Sequence, residues 1–267
     1  MLCKMASCSL VSPLVVASHL LLFIFLSFPQ ASSLLNEDDL EVSNLASPQK
    51  VDVSVYYDSL CPHCAKFIVQ KLESVFENDL ISIINLRLVP WGNAYINNSE
   101  DTIVCQNGPD ECLLNAIEAC AIDQWPDVNT HFGLIYCIEF LAAEGKHKEW
   151  ETCFESLDLP RNKTLDCYIS GKGTKIELGY GNETAHLNPP LTFVPWVVVN
   201  NQPVRDDYEN FASYICKVYK GSPVPKACKS PPPKINSSRN SNMILPVCYA
   251  TETQTLASSI PAKEMPS

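Results

Sequence analysis

A short strand followed directly by a CPHC motif at a helix start constrains this chain more than any other feature. Residues 51–57 alternate valines with smaller or polar residues and are rich in strand formers. Pro62 suits the first helical position, and apolar residues then recur at helical spacing as far as Phe76. Cys61 therefore falls at a helix N-terminus, where unpaired N–H groups and the helix dipole stabilise a thiolate. With Cys64 one turn later, the spacing predicts a redox dithiol that can close to a disulfide and reopen.

The N-terminal segment predicts entry into the secretory pathway. Lys4 precedes an apolar stretch over residues 10–28, and small residues at 31–33 suit signal-peptidase cleavage, so residues 1–33 are predicted to be a signal peptide. The alternative is an uncleaved membrane anchor. Residues 34–50 are polar and acidic and are predicted to be a linker or pro-segment. Because no other segment is apolar enough to span a bilayer, we expect a soluble, lumenal or secreted mature protein with no membrane contact.

Charge and glycosylation motifs agree with that route. The chain has 30 Asp and Glu residues against 19 Lys and Arg residues, a formal net charge of -11, so nucleic acid is excluded as an expected partner. Four Asn-X-Ser/Thr triplets predict surface glycosylation, at Asn97, Asn162, Asn182 and Asn236.

The cysteine count is the strongest compositional signal. Cys61 and Cys64 form the predicted redox pair, and Cys248, in the C-terminal tail, is expected to be unpaired or removed with a processed tail. The remaining cysteines after the signal segment are candidates for up to four structural disulfides: Cys105, Cys112, Cys120, Cys137, Cys153, Cys167, Cys216 and Cys228. Cys112 and Cys120 lie too far apart along one predicted helix to bond to each other. Cys216 and Cys228 are expected to bridge locally.

The order of predicted elements indicates a known architecture. A second strand, predicted from Ile81 to Trp91, follows the first helix and is expected to be parallel to the first strand. The strand pattern then stops for about a hundred residues, in a cysteine-rich helical insertion placed at about 93–188. Strands resume near residue 192 with a hairpin turn at Asn200 and Asn201, and a closing helix is predicted over 207–219. Residues 229–267 are rich in Pro, Ser and Asn and are predicted to be disordered.

This order resembles the thioredoxin fold, an α/β fold, with its helical insertion between the second and third strands. The domain is predicted to span residues 51–228. In such folds a cis-proline at this topological position faces the C-x-x-C motif and leaves backbone groups free for a peptide, so the resemblance implies a cis Val194–Pro195 bond and makes these two residues substrate-facing. The alternative is an ordinary trans proline at a strand start.

The residues around the dithiol have other interpretations. The C-x-x-C motif could be half of a zinc site, or its two cysteines could belong to separate structural disulfides. No second C-x-x-C or matching histidine pair accompanies it, so neither a metal nor an organic cofactor is expected. Pro62 and His63 lie between the cysteines and are predicted to tune the site, His63 by favouring the Cys61 thiolate. An exposed histidine with no role is the alternative.

A longer motif narrows the function. The segment CQNGPDECLLNAIEAC resembles the signature of the gamma-interferon-inducible lysosomal thiol reductase family, matching it at Cys105, Gln106, Gly108, Glu111, Cys112, Asn115 and Cys120. Asn107 replaces the family's histidine, and YYDSLCPHC and FVPWVVVN resemble two further family segments. The resemblance implies reduction of protein disulfides at low pH, with Cys61 attacking, Cys64 resolving and a small thiol supplying electrons. It implies a lysosomal or vacuolar location, with secretion as the alternative. Gln106, Glu111 and Asn115 could contact the substrate, or they could cap and pack the disulfide-tied helix, which is the favoured interpretation.

Two other functions stay open from the sequence. The Pro-His pair between the cysteines also permits a disulfide oxidase or isomerase of the secretory pathway. A non-catalytic binding module with a buried structural disulfide is the third possibility.

Overall fold

The structure, a computed structural model, describes residues 49–229 and 246–250. The predicted signal peptide, residues 34–48 of the predicted linker, Asn236 and the rest of the predicted tail lie outside the described residues. The helices and strands are, in chain order, β1 (Val51–Tyr57), α1 (Pro62–Phe67), α2 (Ser74–Glu77), β2 (Ile84–Pro90), β3 (Tyr95–Asn97), β4 (Thr102–Val104), α3 (Pro109–Gln124), α4 (Val128–Ala143), α5 (Thr152–Ser156), α6 (Arg161–Ile169), α7 (Lys172–Ala185), β5 (Phe193–Val194), β6 (Trp196–Val199), β7 (Gln202–Pro203), α8 (Phe211–Val218), α9 (Lys226–Lys229) and β8 (Cys248–Tyr249).

A four-stranded mixed sheet in the order β2-β1-β6-β7 forms the centre of the domain. β1 and β2 are parallel, with Val51 opposite Ile84 and Tyr57 opposite Pro90, as predicted for a crossover through one helix. β6 runs antiparallel to β1. This sheet and the helices around it confirm the thioredoxin-like fold, and the helical region between β2 and β5 is the predicted insertion.

The second strand starts later than the sequence indicated. Leu80–Ile83 form a 3-10 turn, and the strand begins at Ile84. Asp79, just before that turn, has a φ of 58°, which an aspartate tolerates better than most residues. The apolar residues of the turn are buried like strand residues, so periodicity alone could not separate the two.

The hairpin after β6 matches its prediction. Asn200 and Asn201 have φ values of 44° and 61°, as a tight turn between β6 and β7 requires. The Asn200 side chain also accepts a hydrogen bond from the Asp52 N–H at 2.8 Å, and its own N–H donates to the Asp52 carbonyl at 2.8 Å. The turn is thereby fixed against the start of β1. The closing helix is shorter than predicted, because Arg205–Asn210 form a 3-10 segment before α8.

The insertion contains a β-hairpin and a helix that were not predicted from the sequence. The expectation of no strands was wrong, because β3 and β4 pair as an antiparallel hairpin of three residues each, too short to show a clear alternation. α7 was missed because it contains glycines, which lower helix propensity. At Gly181 an added Cβ would lie 2.6 Å from the Trp91 ring, and at Gly173 it would lie 2.9 Å from the Cys120 sulfur. These glycines allow α7 to pack closely.

Four disulfides join the eight cysteines that were candidates for structural bonds. The bonded pairs are Cys105–Cys112, Cys120–Cys167, Cys137–Cys153 and Cys216–Cys228. Cys120–Cys167 ties α3 to α6 across 47 residues, a loop for which the chain-entropy model gives about 4 kcal/mol of stabilisation. The insertion also has its own apolar cluster beneath α3 and α4, which includes Leu114, Ile138 and Phe154. The disulfides and this second cluster together stabilise the insertion beside the sheet.

The predicted disorder from residue 229 onward was wrong for two parts of the tail. Lys229 ends α9, and residues 246–250 return to the domain, where β8 pairs antiparallel with β5. A bilayer-crossing helix is not found within residues 49–229 and 246–250.

Candidate active site

Cys61 lies at the N-cap of α1, as predicted. Its N–H donates to the Asp58 carbonyl at 3.2 Å, its carbonyl accepts from the Ala65 N–H at 3.0 Å, and Pro62 occupies the first turn. β1 ends at Tyr57, and a three-residue loop leads from the centre of the sheet into the helix. The Cys61 sulfur therefore lies at the N-terminal end of α1, where free N–H groups favour a thiolate.

The partner of Cys61 differs from the prediction. Cys61 is bonded to Cys248, with 6.2 Å between their Cα atoms, and Cys64 is a buried free thiol. The expectation that Cys248 is unpaired or removed was therefore wrong, and a closed Cys61–Cys64 bond is not present in this structure. A spacing of three residues made Cys64 the obvious partner, whereas Cys248 is 187 residues away in sequence. The signal that could have found it is the short apolar and aromatic run around Cys248 in an otherwise polar tail.

β5 provides the edge on which Cys248 lies. Val194 is opposite Cys248 and Phe193 is opposite Tyr249 in the β5–β8 pair. The Val194–Pro195 peptide bond is cis, as the fold resemblance implied, and both residues are buried. The predicted substrate-facing residues are thus adjacent to the Cys61 disulfide.

A cluster of buried carboxyl groups surrounds Cys64. Asp58, Glu111, Glu118 and Glu139 have no exposed surface. Burial raises the pKa of the Cys64 thiol well above its usual range, and the neighbouring Asp58 charge acts in the same direction. Burial likewise raises the pKa of Glu118 to about 8 and raises that of Glu139. At acidic pH the cluster therefore holds protons, and Cys64 remains a neutral thiol.

Hydrogen bonds hold this cluster in place. The Asn93 N–H donates to both carboxyl oxygens of Asp58, at 3.0 and 3.2 Å, and opposes the rise in the Asp58 pKa that burial causes. The Tyr57 hydroxyl donates to Glu118 at 2.7 Å. Sequence reasoning missed Tyr57, Asp58 and Asn93 as site residues. Asp58 gave one signal, a carboxylate at the end of a buried strand immediately before the CPHC loop.

Comparison with known proteins identifies the family. Residues 52–157 match the sequence model described as gamma interferon inducible lysosomal thiol reductase (GILT). The gamma-interferon-responsive lysosomal thiol protein of Arabidopsis thaliana is 40% identical over 186 residues, which cover 68% of this chain and 76% of that protein. The chain belongs to this thiol reductase family. The mouse gamma-interferon-inducible lysosomal thiol reductase is 34% identical over 184 residues, covering 67% of this chain and 72% of the mouse protein.

Solved structures were also compared. MdbA, a thiol-disulfide oxidoreductase from Corynebacterium diphtheriae, matches with a TM-score of 0.46 and 16% identity over 65% of this chain and 86% of its own. Chlamydia trachomatis DsbA matches with a TM-score of 0.45 and 12% identity, covering 62% and 85%. The family model and the two relatives confirm the family resemblance predicted from the sequence, and membership of the GILT family makes the chain a thiol-disulfide oxidoreductase.

The GILT motif residues have separate roles in the structure. Glu111 accepts hydrogen bonds from the Asn107 N–H at 2.9 Å and the Asn107 side chain at 2.6 Å, which tie the turn before α3 to the first turn of that helix. The Asn115 side chain accepts from the Ser59 N–H at 3.1 Å and so braces the loop before Cys61. Gly108 has a φ of 92°, a conformation that favours glycine at the start of α3. Asn107, which replaces the family's histidine, thus bonds to Glu111 in the turn before α3.

Gln106 does not cap the helix. Its side chain contacts Asn93 and the main chain of residue 249 instead. The other predicted site residues lie at the surface: Pro62 is exposed and His63 is half-buried at the start of α1. Of the predicted glycosylation sites, Asn162 and Asn182 are exposed and Asn97 is half-buried, and modification at all of them stays a prediction.

A buried carboxyl outside the dithiol site makes stability depend on pH. Glu177, on α7, is 3% exposed, and burial raises its pKa from 4.5 to about 8. In the folded state it stays protonated, whereas in the unfolded chain it ionises near its ordinary pKa, so unfolding releases a proton between these two values. Its stabilising effect is complete below pH 4.5 and is lost as the pH rises toward 8.

We therefore expect the Glu177→Gln variant to lose less stability than the parent protein between pH 5 and pH 8. The difference is on the order of 3 kcal/mol, because each unit of pKa shift is worth about 1.4 kcal/mol. Denaturant unfolding at both pH values measures it. Glu155→Gln, at an exposed position, is the control. Equal pH dependence in Glu177→Gln and the parent protein contradicts the assignment.

Proposed function

We propose that this protein reduces disulfide bonds of protein substrates by a dithiol mechanism in which Cys61 attacks and Cys64 resolves. The proposal rests on the different bonding of the two cysteines at the start of α1. Cys61 is bonded to a cysteine on a strand paired with β5, while the Cys64 thiol, one turn later, is free. This is the arrangement expected after Cys61 has attacked a disulfide and before Cys64 has released the product.

The electrostatics support this order of attack. Burial and the Asp58 charge raise the Cys64 pKa, so Cys64 is poorly suited to make the first attack. Cys61 lies at the helix N-terminus, where a thiolate is stabilised. In the proposed reaction the Cys61 thiolate attacks one substrate sulfur, and the other leaves as a thiol. Cys64 then attacks the Cys61 sulfur. The substrate sulfur that was bonded to Cys61 leaves as a thiol, and a Cys61–Cys64 disulfide forms.

Return of the enzyme to its reduced form requires two electrons. A small thiol is the proposed source, and no metal or organic cofactor takes part. Pro62 and His63 are proposed to tune the Cys61 thiolate, and Val194 and Pro195 to present the substrate. The protonated carboxyl cluster and the names of the relatives support work at acidic pH, in a lysosome or vacuole or after secretion, within a domain spanning residues 51–228.

The test is reduction of a disulfide-bonded protein at pH 5 by the full chain, with a small thiol as electron donor. We expect the protein to accelerate reduction well above the rate with the thiol alone, and to accelerate oxidation of the reduced substrate much less. An equilibrium titration against glutathione gives the reduction potential. A strongly oxidising potential, near the -120 mV typical of dedicated disulfide donors, contradicts a reductase and favours an oxidase or isomerase.

A further inference from the structure

Residues 246–250, the tail segment, lie beside the active site, form a strand at Cys248–Tyr249 and make several hydrogen bonds through their main chain. β8 pairs with β5, and the Ala250 N–H donates to the Thr192 carbonyl at 3.1 Å. The Tyr208 hydroxyl donates to the Pro246 carbonyl at 2.7 Å. Groups on both sides of Cys248 are therefore held by contacts that any peptide could make.

Two side-chain amides hold the centre of the tail segment. The Asn93 amide donates to the Cys248 carbonyl at 3.0 Å, and the Gln106 amide donates to the Tyr249 carbonyl at 2.7 Å. The Asn93 amide also donates to the Gln106 side-chain oxygen at 2.8 Å, so the two amides lie side by side along the tail segment. Asn93 and Gln106 form a main-chain clamp for the cysteine bonded to Cys61 and for the residue that follows it.

The side chains of the tail segment define a few simple requirements. Val247 is 7% exposed and belongs to the main apolar core, whereas Tyr249 is 52% exposed and its ring lies edge-on to Phe193 at 6.2 Å. The site for the residue before the cysteine is thus buried and apolar. The site for the residue after it is partly exposed to solvent and offers contact with the Phe193 ring. Cysteine is the one residue whose chemistry the site demands.

We propose that the tail segment is a tethered substrate and that the Asn93–Gln106 clamp is the substrate-binding device of this enzyme. The proposal rests on the proposed reductase function. The favoured substrates are extended protein segments with an apolar residue before the target cysteine and an apolar or aromatic residue after it. The clamp recognises carbonyl groups, so many sequences fit.

Release of the tail segment follows the same chemistry as release of a product. The Cys64 thiolate attacks the Cys61 sulfur, the Cys61–Cys248 bond breaks and a Cys61–Cys64 bond forms. Cys248 leaves as a thiolate and takes up the proton that Cys64 gave up. This exchange replaces one disulfide by another and consumes no oxidant or reductant. The Cys61–Cys64 bond is then opened by two molecules of a small thiol, which supply two electrons and become a disulfide.

The experiment uses two peptides whose cysteine is joined by a disulfide to nitrothiobenzoate. PVCYA copies the tail segment, and PVC with an amidated C-terminus keeps the cysteine carbonyl but lacks the carbonyl that Gln106 binds. The full chain carrying Cys248→Ser is reduced and freed of reductant before mixing. The Cys61 thiolate attacks the peptide sulfur, the bond to the aromatic thiolate breaks, and the colour of that thiolate gives the rate constant.

In the Cys248→Ser background, Gln106→Ala is expected to slow the reaction with PVCYA about tenfold and the reaction with PVC less than twofold. The tyrosine carbonyl of bound PVCYA loses its hydrogen-bond donor in this variant, whereas PVC has no tyrosine carbonyl to lose one. Gln106→Glu, which keeps the shape but removes the donor, should repeat the effect. Gln70→Ala, at an exposed position on the helical segment after α1, is the matched control and should react as the parent does.

Equal slowing of both peptides by Gln106→Ala and Gln106→Glu overturns the clamp, because a purely structural role would affect both reactions alike. That result leaves the proposed reductase function standing. If the parent protein cleaves neither peptide disulfide, the clamp and the proposed function both fall.

Discussion

Cys61→Ser is expected to lower the rate of protein disulfide reduction at least ~1,000-fold, to the level of the small thiol alone, because a serine hydroxyl does not attack disulfides as a thiolate does. Cys61 lies at the helix N-terminus and carries the disulfide to the tail segment. The other described cysteines are poor replacements. Burial raises the pKa of Cys64, Cys248 becomes a free thiol in this variant but lies in a strand rather than at a helix N-terminus, and the remaining eight are bonded in pairs. The measurement is kcat/KM for a disulfide-bonded protein at pH 5.

The control for this variant is Cys64→Ser. Once the small thiol has freed Cys61 from Cys248, this variant keeps the attacking sulfur and should still form a mixed disulfide with substrate, although Cys64 can no longer resolve that bond. Retention of more than a tenth of the parent kcat/KM by Cys61→Ser shows that another sulfur makes the first attack, and the proposed mechanism is then wrong.

The second large effect concerns access to Cys61. In Cys64→Ser the single remaining partner of Cys61 is Cys248, so Cys61 should be protected from a thiol-alkylating reagent when no reductant is added. In the double variant Cys64→Ser/Cys248→Ser, Cys61 has no disulfide partner. Its alkylation should be at least ~100-fold faster than in Cys64→Ser, because a disulfide sulfur is not alkylated whereas a thiolate is. Peptide mass spectrometry after timed labelling gives both rates.

The double variant also provides the trap for substrates. With no cysteine left to resolve the bond, a disulfide-bonded protein mixed with it should remain attached through Cys61. Equal alkylation of Cys61 in the single and double variants means that Cys248 does not protect it, and the tethered-substrate interpretation fails.

Local patterns were sufficient to predict the elements that build the active site. β1 alternates and α1 begins at a proline, so both could be predicted from neighbouring residues alone. Asn200 and Asn201 tolerate positive φ, which predicted the hairpin between β6 and β7. The cysteine motif around Gln106 predicted the family, since its spacing is long and specific.

The missed features depend on contacts distant in sequence. Glu118 and Glu139 look like polar positions on helices α3 and α4, but packing of the insertion against the sheet buries both. The bond between Cys61 and Cys248 joins opposite ends of the domain sequence, and a polar tail offered no periodic pattern to follow. Gln106 could be assigned to capping from its place in the motif, yet its partner is the tail segment.

The central claim is that Cys61 is bonded to Cys248 in the resting protein, with Cys64 free. The most direct measurement is peptide mapping of the full chain, unfolded in acid with its thiols blocked and digested without reduction. We expect a cross-linked peptide containing Cys61 and Cys248, together with an alkylated Cys64. A peptide with a closed Cys61–Cys64 bond and an alkylated Cys248 would contradict it.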